Sequence, residues 1–175
     1  MTGAIDHAQV ALQRASADHA GELALLHEDL FARPWDEASL RRFLGDPGCA
    51  AFLARVGTPP QSAGLILGRR AADEAEILAL GVQLQHRRHG IGRRLVEALA
   101  HAAKTAGAKQ LFLEVGRQND AAVALYTRLG FRQVGLRKGY YEHARHGLED
   151  ALVLALALGV APDCAPDCGG PRPHL

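Results

Sequence analysis

The most informative segment of this sequence is QHRRHGIGRRL, at residues 85–95. It follows an apolar run, ILALGV at residues 77–82, which is short enough to be a buried strand. After it, apolar residues recur at helical spacing from Ile91 to Ala106, with charged side chains on the other faces. Gly90 and Gly92 therefore lie where a strand turns into a helix.

A glycine turn at the start of a helix is suited to binding a phosphate. Glycine lets the backbone approach a ligand closely, and the first N–H groups of a helix have no partner within it. These donors, the positive end of the helix dipole and the neighbouring arginines together favour an anion. We therefore predict the main binding site at this turn, although the Gly-x-Gly pattern alone is equally compatible with a tight turn and solvated arginines.

Two other nucleotide-binding patterns fit this turn less well. A Walker loop is excluded, because Gly-x-x-x-x-Gly-Lys-Ser/Thr occurs nowhere in the chain. A dinucleotide-binding fingerprint requires a third small residue where this sequence has Leu95. Glu114 does lie at about the distance expected of a ribose-binding acid, so a dinucleotide-dependent oxidoreductase stays open as an alternative.

Bulk composition restricts the class of protein. The 175 residues fit one domain, and 48% hydrophobic with 22% charged residues is typical of a globular protein. A formal net charge of +1 gives no reason to expect direct binding to nucleic acid or to a membrane. No apolar run approaches the roughly 20 residues of a membrane span, and the N-terminus lacks the features of a secretory signal. We expect a cytoplasmic protein without a disulfide framework, because two of its three cysteines lie in a Pro-rich tail.

The order of apolar patterns predicts one α/β domain. Helices are predicted over residues 16–31, 36–44, 91–106 and 119–129, and strands over residues 7–14, 49–56, 63–69, 76–84, 110–115, 131–138 and 150–158. Residues 139–141 are predicted to form a loop. This order corresponds to a mixed sheet of about seven strands with helices on both faces. Residues 159–175 contain four prolines and no periodic apolar face, so we expect a disordered tail after a domain of residues 1–158.

A second group of polar residues follows the glycine turn. Glu114 lies at the end of the next predicted strand, and Asn119 and Tyr126 lie on the helix after it. Tyr126 lies seven positions after Asn119, so the two side chains lie on one helix face, roughly 10 Å apart along the axis. Because the carboxyl ends of strands border the ligand crevice in open α/β sheets, one cleft could hold the glycine turn and all three residues. Taken singly, Asn119 is also a good helix N-cap, and Tyr126 is also typical of a core edge.

Together these segments resemble the GNAT acetyltransferases. RRHGIG, at residues 87–92, resembles the family's Gln/Arg-x-x-Gly-x-Gly/Ala signature, which binds the pyrophosphate of acetyl-CoA. The segments EILALGV, RRHGIGRRL, LEVGRQN, ALYTRLGF, RKGYY and EDAL are similar, in order and spacing, to the bacterial ribosomal-protein-alanine N-acetyltransferases of the RimI type. The likeness runs from about residue 76 to residue 156. It implies the single-domain GNAT fold, an α/β (α+β) fold with a mixed, mostly antiparallel sheet.

The resemblance assigns a role to each residue that matches a motif of the family. Glu114 takes the position of the general base and Tyr126 that of the general acid. Asn119 matches a residue that contacts acetyl-CoA. The segment whose backbone binds the acetyl-pantetheine arm corresponds to Leu80, Gly81 and Val82. The pyrophosphate loop corresponds to Arg87, Arg88, His89, Gly90, Ile91, Gly92 and Arg93.

Acetyl transfer to an amine requires the same residue types. The amine must be neutral to attack the thioester, and a carboxylate such as Glu114 can take its proton directly or through a water. The acetyl oxygen then gains negative charge, which a free backbone N–H near Gly81 or Val82 could bind. A phenol such as Tyr126 can protonate the leaving thiolate. No metal or covalent enzyme intermediate is required.

The resemblance also implies substrates and partners. It implies acetyl-CoA as co-substrate, no metal, and the N-terminal alanine of a ribosomal protein as acceptor; we expect a monomer or a weak dimer. Residues 30–43 and 140–147 are the least constrained, so another peptide amine, a lysine or a small amine stays open as acceptor. A non-catalytic CoA-binding module is the alternative from another class. Cys164, Cys168 and His174 lack the usual spacing of a metal site.

Overall fold

The computed structural model describes residues 10–143 and 147–159, which form a seven-stranded sheet with helices on both faces. The strands are β1 (Ala11–Arg14), β2 (Cys49–Val56), β3 (Gln61–Ala71), β4 (Glu74–Val82), β5 (Gln110–Gly116), β6 (Arg132–His143) and β7 (Gly147–Ala157). The helices are α1 (Ala20–Leu30), α2 (Glu37–Gly45), α3 (Ile91–Thr105) and α4 (Asp120–Arg128).

The strand order across the sheet is β1-β2-β3-β4-β5-β7-β6. Neighbouring strands are antiparallel except β4 and β5, which are parallel because α3 connects them. The predicted order of elements and the mixed, mostly antiparallel sheet are confirmed.

Local signals explain several element boundaries. Asp36 caps α2, as predicted, by accepting a hydrogen bond of 2.7 Å from the Ser39 N–H. Gly107 follows α3 with φ +94° and Gly130 follows α4 with φ +90°, a left-handed conformation that glycine adopts without a steric penalty. The first predicted helix is divided, since a 3-10 turn at Ala17–His19 precedes α1.

The loop predicted at residues 139–141 is wrong, because β6 continues through these residues to His143. The pairing of β6 with β7 shifts between Arg137 and Tyr141, so several residues of β6 stand opposite Asp150 alone. Gly139, with φ +61°, donates its N–H to the Asp150 carboxylate at 3.0 Å. A glycine and a carboxylate from the next strand thus build a bulge within a continuous strand.

Each face of the sheet carries its own part of the core. On one face the sheet packs against α3 and α4, and the buried residues of α3 are Ile91, Leu95, Val96, Leu99 and Ala103. On the other face, α1 and α2 pack over β2, β3 and β4 through Leu23, Leu26, Leu40, Leu53, Leu65 and Leu67. Trp35 packs against this second cluster, with its ring edge-on to Phe43 at 5.5 Å.

Several expectations fall on parts of the chain that are not described. Residues 160–175, with Cys164, Cys168 and His174, lie outside the described residues, as do residues 1–9 and 144–146. Within the described ranges, no helix is both long and apolar enough to cross a membrane. The same ranges contain no group of three or more His, Cys, Asp or Glu residues that could hold a metal ion.

Candidate active site

β4 and β5 lie side by side for only part of their length. The first four residues of β4 pair with β5, up to Ile77 opposite Leu113. Beyond that point β4 pairs with β3 alone, and β5 pairs with β7 alone. The two strands therefore leave an opening in the sheet between residues 78–82 and residues 114–116, which we call the slot.

A β-bulge in β4 starts the slot. β3 pairs with Ile77 and then with Ala79, so the intervening Leu78 has no partner residue on β3. Ile77 packs in the α3 cluster, Leu78 and Ala79 both pack against the α1–α2 cluster, and Leu80 is again on the α3 side. Because a bulge bends its strand and increases the twist, it turns the second half of β4 away from β5.

Gly81 is a glycine because its own chain packs closely against it. A Cβ at this position would lie 2.8 Å from Cδ1 of Leu30 and 3.1 Å from Cζ of Phe31, at the C-terminal end of α1. Glycine within a strand is typical of a bulge or of a close ligand approach, but the bulge lies three residues earlier, at Leu78. The close packing of the end of α1 against β4 therefore requires a glycine at position 81, on the wall of the slot.

The backbone N–H and carbonyl groups of Leu80 and Val82 point into the slot. The N–H of Gln83 donates to the carbonyl of Ala63 on β3 at 2.8 Å. Along an antiparallel strand every second residue bonds to the same neighbour, so Gly81 also bonds to β3, whereas Leu80 and Val82 face away from it. The side chain of Arg87 reaches the Val82 carbonyl at 2.9 Å, which agrees with this direction.

The N-terminus of α3 lies at the same end of the slot. Gly90 is the N-cap of the helix, with φ +76°, and as a glycine it has no side chain that could cap the first turn. The first helical bond runs from the Arg94 N–H to the Gly90 carbonyl at 3.1 Å, so the three preceding N–H groups have no partner within the helix. A Cβ at Gly92 would lie 3.4 Å from Leu125 and 3.9 Å from Val82. The helix start therefore touches both α4 and the end of β4.

The basic side chains of this turn have different surroundings. Arg93 is paired with Glu97 one helical turn later, at 2.7 Å, and this hydrogen bond raises the pKa of Arg93. Arg87 is bound to β4, as described above. Arg88 adopts φ +66°, and its side chain is exposed, as is that of His89. The exposed Arg88 is thus a basic group next to this turn that a bound anion can reach directly.

Glu114 lies on the β5 side of the slot. Leu113 and Val115 pack in the α3 cluster, so the alternation of the strand places Glu114 on the face that carries α1 and α2. Its side chain is 18% exposed, and its Oε1 is 2.5 Å from Nη1 of Arg137. Sequence reasoning missed this partner; the signal available was that Arg137 begins the RKGYY segment, to which no catalytic role was attached.

Asn119 and Tyr126 both take part in the fold of α4. Asn119 is the N-cap, with its side-chain oxygen accepting from the Ala122 N–H at 3.2 Å. Tyr126 is only 5% exposed and lies in the α3 cluster, with its ring edge-on to Phe131 at 5.4 Å. Tyr126 and Glu114 thus lie on opposite faces of the sheet. The single cleft that would hold both residues, and the catalytic role of each, stay predictions.

Comparisons with known proteins identify the family. The acetyltransferase (GNAT) family model matches residues 21–131. The ribosomal protein bS18-alanine N-acetyltransferase of Salmonella typhimurium is 35% identical over 125 residues, which cover 71% of this chain and 82% of that protein. The N-alpha-acetyltransferase RimI of Mycobacterium tuberculosis is 40% identical over 135 residues, which cover 75% and 82% respectively.

Solved structures agree with this assignment. The ribosomal-protein-S18-alanine N-acetyltransferase of Escherichia coli superposes with a TM-score of 0.77 at 26% identity, covering 89% of this chain and 98% of that one. Arabidopsis thaliana NAA60 in complex with acetyl-CoA, at 17% identity and a TM-score of 0.74, covers 85% of this chain and 98% of its own, and shows the shared fold alone. The chain is therefore an N-acetyltransferase that belongs to the GNAT family.

Proposed function

We propose that this enzyme transfers the acetyl group of acetyl-CoA to the N-terminal alanine of a ribosomal protein. The observation that carries the proposal is the slot between β4 and β5, which opens beside an uncapped helix N-terminus. The relatives support the acceptor, since one is named for an alanine of a ribosomal protein and another as an N-alpha-acetyltransferase. Such an acceptor implies that the enzyme works in the cytoplasm, where ribosomes are assembled.

The turn before α3 is the proposed site for the pyrophosphate of acetyl-CoA. The backbone N–H groups of Ile91, Gly92 and Arg93 donate to it, and Arg88 adds positive charge. Arg93 contributes through its backbone, because its side chain is paired with Glu97. This arrangement leaves the diphosphate at the mouth of the slot.

The second half of β4 is the proposed site for the acetyl-pantetheine arm. The N–H groups of Leu80 and Val82 and the carbonyl of Leu80 face the slot, so an extended amide chain can bind to them as an added strand would. Asn119 uses its side-chain oxygen to cap α4, which leaves its amide N–H groups as donors to the cofactor. A bound arm would bring its thioester between Glu114 and Tyr126.

The reaction then needs two proton transfers and one site for negative charge. Glu114 takes a proton from the acceptor amine, directly or through a water, as the nitrogen attacks the thioester carbon. The N–H of Val82 binds the acetyl oxygen, and Val82 suits this role better than Gly81, whose backbone is used by β3. Tyr126 gives its proton to the departing thiolate from the other face of the sheet.

Mass spectrometry on a panel of amines tests this function. The enzyme is incubated with acetyl-CoA and either a peptide that begins with alanine, the same peptide blocked at its N-terminus but carrying a lysine, or a polyamine. We expect one acetyl group on the alanine peptide and none on the blocked peptide. Acetylation of the lysine or the polyamine alone would contradict the proposed acceptor. A thermal shift with NAD instead of acetyl-CoA would contradict the proposed cofactor.

A further inference from the structure

We propose that Arg137 is a positioning residue for the reaction, which holds the Glu114 carboxylate in the orientation that accepts the amine proton. The proposal rests on the proposed function, in which Glu114 is the base. It adds a residue of β6, a strand that does not border the slot.

The sheet brings Arg137 and Glu114 together across an intervening strand. Glu114 stands opposite Val153 of β7, and Arg137 stands opposite Ala151 of the same strand. Residues two apart on a strand share a face, so all four side chains lie on one side of the sheet. Two strand spacings amount to about 9.5 Å, which only a long side chain can cross. The small, fully buried Ala151 lies beneath this path.

The backbone next to Arg137 is held in place by Asp150. The carboxylate of Asp150 accepts from the Gly139 N–H at 3.0 Å, which anchors the bulge that follows Arg137. The carbonyl of the same residue accepts from the Arg117 N–H at 3.0 Å, just beyond the end of β5. Asp150 of β7 is therefore hydrogen-bonded to β6, which carries Arg137. It is also hydrogen-bonded to the residue that follows β5, the strand that carries Glu114.

The contact engages one oxygen of the carboxylate. Arg137 binds Oε1 of Glu114 through Nη1, and among the side chains that the structure describes it is the partner of that carboxylate. Oε2 is thereby left for the acceptor amine or for a water that relays its proton. Without the guanidinium, the carboxylate could rotate about its last bond and meet the amine less often in a productive orientation. Because the Arg137 side chain is 56% exposed, we expect the loss of this ion pair to cost little stability.

A kinetic double-mutant cycle tests the proposal. The variants are Arg137→Gln, Glu114→Gln and the double variant, with Arg137→Lys as the conservative change, all assayed with acetyl-CoA and the alanine peptide. For Arg137→Gln we expect kcat to fall about tenfold, with the KM of both substrates within about twofold of wild type. Arg137→Lys should recover part of this loss. In the Glu114→Gln background, Arg137→Gln should change kcat by less than about twofold, because residues that act as a unit are not additive.

A matched control and the contrary outcomes complete the test. Arg132→Gln changes an exposed arginine at the other end of β6, opposite Ala155, and should leave kcat unchanged. Additive losses in the double variant, a rise in the peptide KM alone, or a fall in Tm with unchanged kcat would each overturn the positioning role. Full activity in Glu114→Gln is a different result, because it removes the proposed base itself whatever Arg137 does.

Discussion

The two halves of β4 differ in their neighbours and therefore in their use. Residues 74–77 lie between β3 and β5, and Ala75 and Ile77 are buried there. Residues 79–82 pair with β3 alone, and residues 78–82 are all half-buried. One unpaired residue, Leu78, separates a half that serves stability from a half whose backbone groups can bind a substrate. Changes in the open half should therefore affect activity, and changes in the closed half should affect stability.

The largest effect is expected for Glu114→Gln, on the open side. Loss of a general base lowers kcat by about 100-fold or more, while Tm stays close to that of wild type because glutamine has the same shape. Steady-state kinetics and a melting curve measure both. Glu76→Gln is the matched control, since Glu76 is a partly exposed carboxylate in the closed half, and it should retain full kcat. Equal losses in the two variants would contradict the division of β4.

A loss of stability without a loss of catalytic activity is expected for Leu111→Ala, on β5 beside the closed half of β4. Leu111 is fully buried and stands opposite Ala75. Truncating a buried leucine costs about 2–5 kcal/mol of unfolding free energy, measured by urea denaturation. Leu111→Met keeps the volume and should cost less than about 1.5 kcal/mol. The folded fraction of Leu111→Ala should keep kcat within about twofold, and a much larger drop would show that the closed half takes part in the reaction.

A smaller effect, on binding alone, is expected for Gly92→Glu at the mouth of the slot. A negative charge in the first turn of α3 should lower the affinity for acetyl-CoA by about tenfold or more, because it repels the pyrophosphate. The same charge favours the helix itself by about 0.3–1 kcal/mol, so Tm should not fall. Isothermal titration calorimetry measures the affinity. Gly92→Ala adds a methyl group without charge and should bind acetyl-CoA more tightly than Gly92→Glu does; unchanged affinity in Gly92→Glu would remove the loop assignment.

The smallest effect is expected for the pH dependence of stability, through a histidine that packs beside the wall of the slot. His27 is 3% exposed, its ring lies 4.3 Å from that of Phe31, and burial lowers the pKa of His27. The unfolded chain therefore binds a proton at a higher pH than the folded one, and stability falls as the pH drops below about 6.5. We expect Tm to decrease by roughly 2–4 °C between pH 7 and pH 5.5.

His27→Gln should reduce the change of Tm between pH 7 and pH 5.5, even if it lowers Tm at every pH. Glu22 acts in a different range, since its hydrogen bond with Arg55 lowers the pKa of Glu22 and its contribution is lost only at more acidic pH. Scanning calorimetry at several pH values separates the two groups. An unchanged slope in His27→Gln would exclude His27 as the source.

Sequence reasoning succeeded where the controlling interactions are local. Asp36 and Asn119 are N-caps because their side chains reach an N–H group three residues away. The bounds of β2 match the predicted residues 49–56, since its apolar residues and flanking turns are contiguous. The loop predicted at residues 139–141 failed for the opposite reason. The carboxylate that keeps the chain in the strand belongs to Asp150, eleven residues after Gly139.

By itself the sequence determined the order of elements, the uncapped start of α3 and the family, because each depends on residues within a few positions of one another or on their order. The tertiary structure alone decided that β4 leaves β5 at Leu78, that Glu114 and Tyr126 lie on opposite faces of the sheet, and that Arg137 meets Glu114. These features depend on which strands become neighbours. Strand pairing joins residues 23 positions apart across β7, and no local pattern of side chains specifies such a contact.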